Sequence, residues 1–259
     1  MSKLGSVLKF ERADKHLGDV LTACKQFLNR QPYRITPDQE GNPGKLQFWI
    51  TLTEEPSDDV ALAAGDALHN ARSALDHVVY ELSRKREANP THTSFPIQSQ
   101  PADWNKGDKL GAPQISSGKH QIRLLPEGAQ AIIEDLQPWK GLNVLKPDRE
   151  RLCDLHRLDI ADKHKNLNAA VASVDTPAIG STGDEPFPVF EHEHRGPLKL
   201  NARTLLVRLS FIPKVEVYPM ALLDITFREG FPRDVPIGAK LLELLGCVQS
   251  VLGQLHVFL

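Results

Sequence analysis

The sequence predicts an α+β protein: a helical bundle with a small antiparallel sheet and an N-terminal β-hairpin insertion. Three observations predict it. Apolar residues recur at three- and four-residue spacing over 8–30, 57–86, 126–164 and 236–258. They alternate with polar residues over 46–52 and in parts of 166–228. The resulting order is helix, hairpin, helix, loop, helices, sheet, helix, with no internal repeat or heptad pattern, and it reads as one domain over 1–259.

In the first helix, over 8–30, Ala13, Leu17, Val20, Leu21, Cys24, Phe27 and Leu28 form the apolar stripe. Leu46, Phe48, Ile50 and Leu52 then alternate with Gln47, Trp49 and Thr51, which predicts a half-buried strand. Tyr33 and Ile35 supply its hairpin partner across the turn-rich 37–44. Over 57–86, Ser57 is the expected N-cap, Asp58 and Asp59 favour the positive helix end, and Arg84, Lys85 and Arg86 favour the negative one.

Residues 87–120 hold prolines, glycines and serines and read as a long ordered loop anchored by Phe95-Pro96-Ile97. A short helix follows Pro126 and ends before Pro138, and another runs over 148–164. Leu205, Val207, Leu209 and Phe211 alternate, as do Leu223, Ile225 and Phe227, whereas 176–199 reads as a loop. Leu241, Leu244, Leu245, Val248, Val251, Leu252 and Leu255 share one face of the last helix, where Gly246 and Gly253 require tertiary packing to hold the helical form.

Composition excludes several classes. With 31 Lys+Arg against 33 Asp+Glu in 259 residues, net charge is −2, so neither wholesale disorder nor generic electrostatic binding to nucleic acid is expected. Cys24, Cys153 and Cys247 are far apart, which argues against a disulfide framework or zinc ribbon and for a reducing compartment. No apolar run suits a membrane span or a secretory h-region, so a cytoplasmic protein is expected, with no membrane partner. Glycine-rich phosphate loops and the nucleophile elbow are absent, and no cofactor is expected.

Chemistry concentrates on the 57–86 helix. On an ideal helix of about 3.6 residues per turn, Asp66, Asn70, Ser73 and His77 fall in a stripe about 60° wide, with His69, Asp76 and Arg72 on one flank. Solvated faces are usually built from Lys, Glu, Gln and Arg. Here the polar positions from 66 to 77 are Asp, His, Asn, Arg, Ser, Asp and His, several of them poor helix formers. Three readings stay open: a functional cleft, a structural polar network, and plain surface.

A second cluster, Asp159, Asp162, Lys163, His164 and Lys165, ends the 148–164 helix, where cations suit the macrodipole. If it lies beside the stripe, Lys163, His164 and Lys165 add positive charge to a phosphate site. His69, His77, His156, Asp66, Asp159 and Asp162 are metal-competent, but His69 and His77 lie eight apart and no H-x-x-x-H or H-E-x-x-H occurs, so no metal is expected. His192-Glu193-His194 reads as exposed loop.

Arg72-Ser-Ala-Leu-Asp-His77 has the R-x4-H spacing and resembles the signature of the HEPN superfamily, helical-bundle proteins many of which are metal-independent RNases acting as dimers. The resemblance implies His77 as acid/base and Arg72 as phosphate clamp; the stripe itself adds Asp66, Asn70 and Ser73 as catalytic candidates, and its flank adds His69 and Asp76 as substrate-binding candidates. The resemblance also implies RNA as substrate and a homodimer as the assembly. LHNARSALDHVVYEL and LDIADKHKNL further resemble a group of bacterial proteins with no assigned activity. A non-catalytic binding or interaction module and a helical-bundle metal hydrolase are the alternative functions.

Overall fold

The computed structural model describes residues 3–38, 45–107, 114–141, 145–164, 169–173, 178–181, 190–194, 196–210, 217–220, 223–227 and 235–259. The fold is α+β, as the sequence predicts. Its helices are α1 Gly5–Asn29, α2 Asp58–Ser83, α3 Pro101–Trp104, α4 Gly118–Gln121, α5 Glu127–Asp135, α6 Pro147–His164 and α7 Ile237–His256. Its strands are β1 Tyr33–Asp38, β2 Gln47–Leu52, β3 Ala169–Ser173, β4 Ala178–Ser181, β5 Phe190–Glu193, β6 Gly196–Pro197, β7 Arg203–Leu209, β8 Val217–Met220 and β9 Leu223–Phe227. Contacts divide the chain into a helical unit, 1–18, 63–166 and 240–259, and a second unit, 19–62 and 167–239, that holds every strand named above.

In the second unit the strands pair in the orders β1-β2-β7-β5, β6-β3-β9 and β4-β8, all antiparallel. The expected hairpin is present, with Tyr33 opposite Leu52 and Ile35 opposite Ile50. Leu46, Phe48, Ile50 and Leu52 are all buried, so the alternation read from the sequence is the burial pattern of β2. Leu46, Phe48, Val207 and Leu209 form one apolar cluster, with Ile35 against it.

Two expectations change here. The 176–199 stretch contains β4, β5 and β6; such short runs become strands only through partners distant in sequence, β8, β7 and β3. Leu206 is fully buried while Leu205 is only half-buried, so the simple alternation fails in β7, whose pairing with β2 shifts register at Phe48/Trp49. His194 follows β5, half-buried, and the expected strand residue Phe211 lies outside the described residues.

α2 begins where Ser57 predicts, and its residues from Ala63 onward belong to the helical unit. The Ser57 hydroxyl accepts from the Asp59 amide at 3.1 Å, and the Ser57 carbonyl accepts from the Val60 amide at 3.1 Å. The helix stops at Ser83, three residues before the expected end, and 84–86 form a turn. Lys85 then donates to the Phe258 carbonyl at 2.7 Å, so that cation serves the end of α7. Ala64, Ala67, Leu68, Ala71, Ala74, Leu75 and Val78 are fully buried along one α2 face, as the periodicity requires.

The 87–120 stretch is ordered over its described parts, but it is not all loop: it carries α3 and α4, each a single turn. Phe95, Pro96 and Ile97 are buried, as the anchor reading expects. Trp104 and Ile122 are also fully enclosed, and Ser117 caps α4 by accepting from the His120 amide at 3.2 Å.

Candidate functional site

The polar face of α2 is divided among three seams within the helical unit. The first meets the start of α1. Lys9 donates to the Asn70 side chain at 3.4 Å, and Asn70 donates to the Asp66 carbonyl at 2.8 Å. His77 stands against Gly5: a Cβ there would lie 2.6 Å from its Nδ1. One turn further on, the Ser6 amide and hydroxyl both donate to the Glu81 carboxylate, at 3.0 and 2.6 Å, and the same hydroxyl lies 3.2 Å from His256 Nε2 on α7. Asn70, Ser73 and His77 are half-buried and Asp66 is exposed. The predicted stripe is therefore mainly an interhelical polar seam.

The second seam holds the 87–120 segment. Arg72 donates to Asp76 at 2.8 Å and to the Phe95 carbonyl at 2.7 Å, while the Phe95 amide donates to the same Asp76 oxygen at 2.8 Å. One ion pair, four residues apart on one helix face, thus satisfies both backbone groups of a fully buried phenylalanine. Arg72 and His77 are separated by about 140° around the helix and belong to different seams. Within one chain the geometry does not bring them together.

The third seam faces α6. His69 Nδ1 lies 3.5 Å from Asp159 Oδ1, and Lys163 donates to the other Asp159 oxygen at 2.6 Å. Asp159 is buried, and Lys163 compensates its charge. A Cβ on Gly65 would overlap the Asp162 carboxylate, so the glycine permits this close approach of α2 and α6. Burial, followed by the charges of Asp159 and Asp66, raises the Asp162 pKa. His164 is exposed at the α6 end, and Lys165 lies outside the described residues.

His156, on α6, lines a recess of about 320 Å³ with Gln98, Ser99, Asp103 and Lys106. Its Nδ1 is buried and has no partner. Burial and then the Arg72 charge lower its pKa, favouring the neutral imidazole. An unpartnered lone pair costs less than an unpartnered N–H, so the ring proton is assigned to Nε2.

Sequence reasoning missed that three of the recesses are lined mainly by the 87–125 region rather than by the stripe, while a fourth, of about 360 Å³, lies between α5, the start of α6 and Gln254. Besides the His156 recess, one of about 640 Å³ is lined by residues 92–94, 114–116 and 121. Another of about 310 Å³ is lined by Trp104, Lys119, His120 and Arg123 among others. The available signal was charge: no carboxylate occurs between Asp108 and Glu127, while Lys109, Lys119, His120 and Arg123 do.

Among the described residues no three His, Cys, Asp or Glu side chains gather as a metal site, and no helix is long and apolar enough to cross a membrane. Cys24 and Cys247 are buried; burial pushes the Cys24 thiol up to about 12 and raises that of Cys247 as well, which makes both poor nucleophiles. No family model, curated protein or solved structure matches the chain.

Proposed function

We propose that this chain is a cytoplasmic, non-catalytic binding module. Its α2 polar residues form a structural network, and the 87–125 region held by that network presents the binding surface. The observation that carries this reading is the Arg72–Asp76 clamp on Phe95. A guanidinium engaged by a carboxylate and a carbonyl, with its side chain only 14% exposed, is suited to fixing backbone. The three recesses of that region then sit on a segment anchored at its base, which reduces the ordering cost of binding.

The competing reading is a HEPN-like, metal-independent RNase. It would use Arg72 on the phosphate and His77 for proton transfer, and would need a second copy or a rearrangement to assemble them. RNA is in that case a substrate; in the binding reading it is a candidate ligand. The homodimer is a proposal in both, read by sedimentation of the full chain.

The discriminating experiment incubates the purified chain and His77→Ala with single-stranded RNA in EDTA. The binding reading expects no cleavage by either protein. Cleavage that drops about 10²-fold or more in His77→Ala would overturn it, since that is the scale of lost acid/base help.

A further inference from the structure

The surface of the 87–125 region carries a cationic cluster that no carboxylate among the described residues neutralises. Arg123 donates through one terminal nitrogen to the His120 carbonyl at 2.9 Å and through the other to the Thr91 carbonyl at 3.2 Å. These neutral acceptors fix the guanidinium and leave its charge uncompensated. Lys119 and His120 line the same 310 Å³ recess as Arg123, and Lys119 makes no ion pair among the described residues. The one carboxylate lining that recess, Glu134, is paired with Lys140 at 3.1 Å.

Two further observations point the same way. The carbonyl that Arg123 holds at Thr91 precedes His92, a non-glycine residue at φ +54°, in a conformation that side chains ordinarily avoid. His92 and Arg123 lie close enough to His120 that both help lower its pKa, after the effect of burial. Arg123 and Lys119 thus gather positive charge beside a backbone held in this way, which suits an anion.

We propose that Arg123, His120 and Lys119 form a binding site for a phosphate group. The guanidinium offers paired N–H donors to phosphate oxygens, the His120 imidazole adds a ring N–H donor, and Lys119 adds a mobile charge at the rim. The site deepens the binding-module reading and rests on it. Phosphate can come from a small molecule or from an RNA backbone, and the test separates the two.

Isothermal calorimetry of the full chain measures inorganic pyrophosphate binding to the wild type, Arg123→Gln, His120→Gln and Lys119→Gln. Arg123→Gln weakens binding about tenfold or more, and Lys119→Gln about threefold. Lys119 is exposed and makes no hydrogen bond or ion pair among the described residues, so its variant decides the matter if Arg123→Gln fails to fold. A single-stranded RNA oligonucleotide that binds, and is displaced by pyrophosphate, identifies polynucleotide phosphate. Pyrophosphate binding without RNA binding identifies a small phosphate-bearing molecule. Absence of pyrophosphate binding by folded wild type, or equal affinity in wild type, Lys119→Gln and His120→Gln, overturns the proposal. These heats do not depend on whether RNA is cut, so failure here and failure of the binding-module reading are separate results.

Discussion

The Lys240 ammonium lies 2.7 Å from the Asp154 carboxylate, with both side chains about nine-tenths enclosed. Glu243 accepts from the same ammonium at 3.0 Å and from Arg151 at 3.0 Å, so α6 and α7 share a charge network that also takes in Asp148 beside Arg151 and Arg157 beside Asp154. Lys240→Met is expected to cost about 3 kcal/mol because the buried Asp154 then keeps only the exposed Arg157, 3.8 Å away. Lys240→Met with Asp154→Leu should recover much of that loss, because an apolar pair replaces the ionic one. Urea denaturation of the two variants measures the difference.

The Arg72–Asp76 clamp predicts a local effect as well as a global one. Asp76→Ala leaves the Phe95 amide without an acceptor and should cost about 1–3 kcal/mol. Hydrogen exchange over 91–107 should accelerate more than exchange in α7, because the anchor fails before the helices do. Uniform acceleration across the chain would argue against a clamp role.

Glycine substitutions separate close packing from open surface. A Cβ on Gly118 would overlap the buried Trp104 ring, which cannot swing aside, so Gly118→Ala should cost about 1–3 kcal/mol and shift the tryptophan fluorescence. Gly246 and Gly253 on α7 meet nothing within 4 Å. Alanine at either should stabilise by about 0.5–1 kcal/mol, the helix-propensity gain alone. Thermal melts of the three variants test both signs.

The pH dependence follows from Asp162 and His156. The Asp162 pKa is raised above its usual 3.8, so between those values the folded state binds more protons than the unfolded one. Stability therefore falls as pH rises through that window. Asp162→Asn should be more stable than wild type at neutral pH, and the advantage should vanish below about pH 3.8, where both carry a neutral side chain. His156 is lowered from 6.5, so its contribution is present above that value and is lost as pH falls through the folded pKa. His156→Gln should flatten that acid limb. Denaturation midpoints from pH 3 to pH 8 give both slopes.

Most of the scaffold was legible because its signals are local. Ser57 capping α2, the three- and four-residue spacing of Leu68, Ala71, Leu75 and Val78, and the alternation of Phe48, Ile50 and Leu52 each depend on neighbours within a turn or a strand. The single turns α3 and α4 and the short strands β4–β6 were not legible, since so few residues make no periodic pattern and their geometry comes from distant partners.

By itself the sequence determined the α+β class, the hairpin, the long helices and the presence of an unusual polar face on α2. Periodicity and capping suffice for those, because they act through the chain's own backbone. Only the tertiary structure decided what that face meets: the start of α1 for Asn70 and His77, the Phe95 backbone for Arg72 and Asp76, and Asp159 for His69. A side chain's periodicity says which way it points, whereas its partner is set by which distant segment the core closes against.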